Sequence, residues 1–107
     1  MREMSIQVQI EQIKIAEFCQ KWKITEFSLF GSVLRDDFRP DSDVDVLVTF
    51  APEAEWSLFD VVHMEDELKG IFRREVDLVI RKTIERSKNY IRRKHILESL
   101  EPIYVAG

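Results

Sequence analysis

The segment Asp43–Phe50 reads DVDVLVTF, in which aspartates alternate with valines before apolar residues take over. This pattern predicts a β-strand, because successive side chains of a strand point to opposite faces of its sheet. The three valines then share one face, and the two aspartates share the other with Leu47 and Thr49. The strand is expected to turn an apolar face to a core and two carboxylates to the opposite side.

Three more strands are predicted, one before this segment in the chain and two after it. Aromatic and β-branched residues predict a strand over Thr25–Phe30 that stops at Gly31. Alternating apolar residues predict another over Glu75–Ile80, with Asp77 on the side opposite the apolar face. Pro102–Val105 is expected to add a short closing strand.

Helical spacing of apolar residues predicts helices over Ile10–Trp22, Ser57–Lys69 and Thr83–Leu100. Ser57 and Thr83 are expected to cap the second and third helices, and Gly70 to lie near the end of the second. An extended lead-in is expected before the first helix, and residues 31–42 are expected to form a loop with one helical turn. The order of elements predicts one sheet covered by helices, an α/β (α+β) fold.

Composition and charge restrict the class of protein. The 107 residues, 45% of them hydrophobic, suffice for one core, so residues 1–107 are expected to form a single domain. A net charge of −4 argues against a protein that grips long nucleic acid. The single cysteine excludes an intramolecular disulfide and a zinc site of the clustered cysteine type. Without a signal-like amino end or a long apolar run, we expect a cytoplasmic protein with no membrane partner.

The aspartates are the candidate metal ligands, because aspartate is depleted in strands and yet Asp45 and Asp77 both lie between apolar neighbours. Two carboxylates about 4 Å apart repel by about 4 kcal/mol at an effective dielectric near 20, so converging aspartates favour a bound cation. Asp43 points the same way as Asp45, and such hard oxygen ligands suit magnesium. In the alternative interpretation, Asp43 belongs to the preceding turn. Asp45 and Asp77 are then either paired with buried arginines or exposed as charges on an edge strand.

Gly31 and Ser32 follow the first strand directly, with Arg35 three residues later. A Gly-Ser corner lets backbone N–H groups and a hydroxyl approach a phosphate, and a helical turn starting there adds a favourable dipole. An ordinary turn is the alternative.

Taken together, the segments Leu29–Arg35, Ser42–Val48 and Val76–Val79 resemble the nucleotidyltransferase superfamily, whose pattern is Gly-Ser, a short helix, Asp-x-Asp and a distant third Asp. The chain looks closest to the minimal nucleotidyltransferases, the MNT-domain partners of HEPN-domain proteins in prokaryotic toxin-antitoxin pairs. The resemblance covers roughly Ile24–Val79. It implies a single mixed β-sheet with helices packed on it, similar to the palm of polymerase β.

The resemblance also implies roles for individual residues. Asp43, Asp45 and Asp77 are expected to be catalytic and to bind Mg²⁺, with two ions, and the third aspartate to orient or deprotonate the acceptor hydroxyl. Gly31 and Ser32 are expected to hold the triphosphate of the donor ATP. Arg35 is expected to contact phosphate or to pair with an aspartate.

Two functions follow from the resemblance. The first is a magnesium-dependent transfer of a nucleoside monophosphate, AMP from ATP, onto a protein hydroxyl such as that of a tyrosine, by the antitoxin of a HEPN/MNT pair. The second is a non-catalytic antitoxin that restrains its HEPN-domain toxin by binding alone. The second draws on the small size and on Asp36, which stands where the family usually has glycine. Modification of a small molecule is less favoured, because those relatives usually carry an extra domain.

Other conspicuous residues are interpreted as structural. Cys19, Trp22 and Phe59 are expected in the core, and His63 and His95 at surface or rim positions rather than as metal ligands. The last predicted helix also carries a basic group, which is either a solvated face or a contact with the nucleotide, an RNA acceptor or an acidic partner. Its members are Arg86, Lys88, Arg92, Arg93 and Lys94.

Overall fold

The computed structural model describes residues 11–31 and 43–106. Within them the order of elements is α1 (Gln12–Lys21), β1 (Ile24–Phe30), β2 (Val44–Phe50), α2 (Leu58–Phe72), β3 (Val76–Ile80), α3 (Arg81–Glu85), α4 (Tyr90–Glu98) and β4 (Glu101–Val105). The predicted extended lead-in, and residues 32–42 of the predicted loop, lie outside the described residues. None of the helices in the described ranges has the length and apolarity needed to cross a membrane.

The strands form one mixed sheet in the order β3-β2-β1-β4. β1 is central and pairs antiparallel with both β2 and β4. β2 and β3 are parallel, since α2 carries the chain back between them. The mixed sheet confirms the predicted fold class.

Helices cover both faces of the sheet, as the alternation along β2 predicts. Its three valines join a core with α1 and α2, whereas Leu47 joins a smaller core with α3 and α4. The larger core contains Ile15, Phe18 and Cys19 of α1 and Met64, Leu68 and Phe72 of α2. The carboxylate of Asp45 in β2 therefore lies on the α3 and α4 side, next to the smaller core.

The start of α2 confirms the predicted cap, and the helix continues three residues past the predicted end at about Lys69. The Ser57 side chain accepts a hydrogen bond from the Asp60 N–H, and the Asp60 carboxylate accepts one from the Ser57 N–H. The helix passes through Gly70 and ends at Phe72, where Arg73 takes the left-handed conformation at φ 59°. Gly70 lies near the end of the helix, as predicted, and the extension past Lys69 lets Ile71 and Phe72 pack on the core.

The predicted helix over Thr83–Leu100 is wrong in its continuity, because the structure divides it into α3 and α4. Thr83 lies inside α3 and is not a cap. Asn89 caps α4 instead, its side chain accepting a hydrogen bond from the Arg92 N–H at 3.1 Å. The break lets Ile84 of α3 and Ile96 of α4 both reach the smaller core.

The predicted core positions are correct for Cys19 and Trp22 and wrong for Phe59. Cys19 is fully buried, whereas the Phe59 side chain is 81% exposed on the first turn of α2. Trp22 also ties elements together, because its indole N–H donates to the Glu67 carboxylate of α2 at 3.1 Å. Its carbonyl accepts a hydrogen bond from the Trp56 indole at 2.9 Å.

Candidate functional site

Asp45 and Asp77 are register partners on the parallel pair β2 and β3. Direct partners on adjacent strands lie about 4.8 Å apart and point to the same face of a sheet. Asp45 is half-buried and Asp77 is exposed. The structure thus brings together two of the three predicted carboxylates, one from each parallel strand and both on the α4 side.

Gly31 lies against this pair at the end of β1. Its φ is 78°, in the left-handed region that favours glycine. A Cβ at this position would collide with Oδ2 of Asp45 and lie 3.2 Å from its Cγ. The close approach requires a residue without a side chain, and it places the backbone of Gly31 at the rim of the carboxylate pair.

A cleft of about 840 Å³ opens over these residues. The end of the sheet forms one wall, with Phe30, Gly31, Asp45 and Asp77. The opposite wall is formed by Ile91, Arg92, His95 and Ile96 of α4 and by Asn89 and Ser99, which flank the helix. The volume falls within the range of about 300–1,000 Å³ that small-molecule sites occupy. A ligand in the cleft would lie between an acidic sheet wall and a helix that carries cationic and apolar side chains.

The remaining predicted site residues are only partly described. Asp43 is exposed and immediately precedes β2, where the Val44 N–H donates to the Glu75 carbonyl at 2.9 Å. Ser32, Arg35 and Asp36 lie outside the described residues. Across residues 11–31 and 43–106, no group of three or more His, Cys, Asp or Glu side chains could hold a metal ion. The three-carboxylate metal site therefore stays a prediction, whereas the pairing of Asp45 with Asp77 is observed.

The helix wall was not identified as part of the site from the sequence. The sequence predicts His95 only at a surface or rim position, and Arg92 only within a basic group for which contact with the nucleotide is one of several alternatives. Arg92, His95, Ile96 and Ser99 occupy positions i, i+3, i+4 and i+7, the spacing of one helix face. That spacing was readable in the sequence, but the direction of the face depends on how Ile96 docks against the sheet.

Arg92 and its neighbour Arg93 differ in their contacts. The Arg93 guanidinium donates to the carbonyls of Ser87 at 3.2 Å and Glu85 at 3.5 Å, and lies over the Tyr90 ring. Within the described parts of the chain, the Arg92 guanidinium makes no hydrogen bond or ion pair. Arg93 therefore joins α3 to α4, while Arg92 lines the cleft.

Comparison with known proteins extends these observations. A family model described as the nucleotidyltransferase domain matches residues 12–100. The chain is 34% identical over 80 residues to the protein adenylyltransferase MntA of Thermococcus cleftensis. That match covers 72% of this chain and 79% of the relative.

Two solved structures share the fold. One is a toxin-antitoxin crystallised with AMP-PNP, which matches with a TM-score of 0.68 at 17% identity and covers 91% of this chain and 75% of that chain. The other is a complex of a tri-AMPylated HEPN toxin from Shewanella oneidensis with an MNT antitoxin, whose matched chain gives a TM-score of 0.60 at 20% identity. It covers 89% of this chain and 70% of that chain. At these identities the likeness shows the fold alone.

Proposed function

The chain belongs to the nucleotidyltransferase domain family, and from this premise we propose that it transfers AMP from ATP to a hydroxyl group of a partner protein. The partner in this proposal is a HEPN-domain toxin, and the chain is its antitoxin. One observation carries the proposal: Asp45 and Asp77 stand side by side in a cleft, with Gly31 packed against the Asp45 carboxylate.

The proposed reaction would take place over the two aspartates. The acceptor oxygen forms a bond to the α-phosphorus of ATP, the bond from that phosphorus to the bridging oxygen breaks, and pyrophosphate leaves. The hydroxyl proton must depart as its oxygen attacks, and the exposed carboxylate of Asp77 is the group we assign to orient the hydroxyl or take the proton. Catalysis then rests on positioning two substrates in one cleft and on balancing their charges.

Magnesium fits the donor set of the sheet wall. Two carboxylates held in direct register repel each other, and a divalent cation with oxygen ligands offsets that repulsion. Asp45 and Asp77 would hold the metal, with Asp43 as the further ligand that the family pattern implies. Bound magnesium would supply charge stabilisation at the entering and leaving oxygens.

The choice of a protein acceptor draws on the relatives. The Thermococcus cleftensis relative is named a protein adenylyltransferase, and one chain of similar fold comes from a complex that contains an AMPylated HEPN toxin. A tyrosine hydroxyl is the acceptor group we propose.

The test uses the purified chain, magnesium and the protein encoded by the neighbouring gene. ATP labelled at the α-phosphate should label the partner, and ATP labelled at the γ-phosphate should not, because only the nucleotidyl group is transferred. Asp45→Asn and Asp77→Asn should abolish labelling. Asp66→Asn is the matched control, because Asp66 is an exposed aspartate of α2 outside the cleft.

The binding-only alternative predicts the opposite pattern. A partner that stays unlabelled, yet is neutralised equally well by wild type and by both cleft variants, would refute the enzymatic proposal. Label appearing from γ-labelled ATP would refute it too, since that outcome is phosphoryl transfer.

A further inference from the structure

One face of α4 forms the cleft wall opposite the carboxylates, and the docking of the helix fixes which face that is. Ile96 is 5% exposed and packs with Phe30 and Leu47 in the smaller core. Because residues three or four apart share a helix face, the buried Ile96 turns Arg92 towards the cleft. Asn89 further fixes the first turn by capping the Arg92 N–H.

The charge on this wall complements an anion. The sheet wall presents the carboxylates of Asp45 and Asp77, which repel a triphosphate in the absence of a cation. Arg92 lines the same cleft, and in the described ranges its guanidinium makes no ion pair. A guanidinium is always charged and presents a planar fork of donors that matches phosphate oxygens.

The wall also offers surfaces for a nucleobase. Ile91 lines the cleft and is 76% exposed, so its aliphatic side chain is accessible to a ligand. His95 lies one turn away on the same wall and adds a planar ring with hydrogen-bonding nitrogens. An aliphatic face and a planar polar ring together suit a flat heterocycle that is apolar on its faces and polar at its edge.

We infer that α4 is the donor-nucleotide subsite of the cleft, in which Arg92 contacts the phosphate chain and Ile91 and His95 flank the base. The inference rests on the proposed function and adds to it the residues that bind the donor. It assigns Arg92 to the nucleotide, among the alternatives of solvent, nucleotide, RNA and acidic partner. The two aspartates then remain available for the metal and the acceptor hydroxyl.

The experiment measures binding without turnover. The full-length chain with magnesium is titrated calorimetrically with α,β-methylene ATP, and separately with inorganic tripolyphosphate, which has no base. Arg92→Ala should weaken binding of both ligands roughly tenfold, because it removes a charge-assisted contact to phosphate. Ile91→Ala and His95→Ala should weaken binding of the nucleotide and leave that of tripolyphosphate unchanged.

Lys94→Ala is the matched control, since Lys94 is an exposed cation on the same helix that does not line the cleft. It should bind both ligands as wild type does. Wild-type affinity of Arg92→Ala for both ligands would overturn the inference. If that variant also no longer associates with the partner, Arg92 belongs to the partner interface instead. Loss of tripolyphosphate affinity in His95→Ala would overturn the assignment of the base. If wild type binds neither ligand, the proposed function itself fails.

Discussion

The α-carbon of Gly31 lies so close to the carboxylate of Asp45 that even a methyl group between them would collide with Oδ2. The contact joins the end of β1 to the start of β2, where Phe30 and Asp45 are register partners. The end of one strand thereby limits where the carboxylate of the next can lie. A small change at Gly31 should therefore affect the position of Asp45.

Gly31→Ala should lose AMP transfer while retaining the fold. The left-handed φ costs an alanine about 1–2 kcal/mol, and the methyl must displace the Asp45 side chain. A displacement of about 1 Å in a reacting group can reduce rate on the order of 100-fold. Transfer of α-labelled AMP measures the rate, and urea denaturation measures the free energy of unfolding.

Gly70→Ala is the matched control for that variant. Gly70 lies inside α2, and a Cβ there would meet no atom within 4 Å. Alanine in a helix interior is favoured over glycine by roughly 0.5–1 kcal/mol, so this variant should be more stable and fully active. Equal activity in the two alanine variants would contradict the role assigned to the Gly31 contact.

Asp77→Asn should separate activity from stability. In EDTA, removing one of two neighbouring like charges should leave the unfolding free energy unchanged or raise it by up to about 1 kcal/mol. Saturating magnesium should stabilise the wild type by about 2.7 kcal/mol at 100 times its Kd, and the variant by much less. Thermal melts with EDTA and with magnesium measure both effects, and equal stabilisation of the two proteins by magnesium would exclude Asp77 as a ligand.

The sheet and its carboxylates could be predicted because the alternation of side chains between the two faces of a strand is a local property. Once Asp43–Phe50 is a strand, backbone geometry alone places its valines and its aspartates on opposite faces. The direct register of Asp45 with Asp77 is not local, because it depends on how α2 returns the chain to the sheet. The alternation of residues in both strands predicted which face of the sheet carries the aspartates, and only the structure showed that Asp45 and Asp77 are aligned.

The errors arose where tertiary contacts override local signals. The second helix was predicted to end at about Lys69, but packing of Phe72 on the core continues α2 to that residue. Phe59 has a large aromatic side chain, which is typical of a core residue, yet it lies on the solvent side of the first turn of α2. The helix wall was missed for a similar reason, because the face that α4 turns to the cleft is fixed by the burial of Ile96.

Glu67→Gln should weaken the link between α1 and α2. Burial opposes ionisation of Glu67, but hydrogen bonds from Lys21 and Trp22 outweigh it and lower the pKa of the carboxyl. Because the carboxylate is 36% exposed, solvent screens the ion pair, and we expect a loss of about 0.5 kcal/mol in unfolding free energy at pH 7. Glutamine can still accept the Trp22 hydrogen bond, so the change reports mainly on the charge.

The pH dependence of that difference follows from the lowered pKa. A carboxyl with a depressed folded pKa stabilises the fold above the ordinary glutamate value of about 4.3, and that contribution is lost as pH falls through the folded value. Urea denaturation should therefore show a constant gap between wild type and Glu67→Gln from pH 7 to about pH 5, and a smaller gap at lower pH. Asp66→Asn, next to Glu67 on the exposed face of α2, should show no such gap. A gap that widens on acidification would contradict the assigned ion pair.

Cys19 should be unreactive until the protein unfolds. Burial raises the pKa of its thiol to about 12, and its side chain is fully enclosed between α1 and the sheet. Since the thiolate is the reactive form, alkylation by iodoacetamide at pH 8 should be slow in the native protein and fast in urea. Mass spectrometry over a urea series should give labelling rates that follow the unfolded fraction. Rapid labelling in the absence of urea would mean that α1 opens independently of the sheet, and would contradict its place in the larger core.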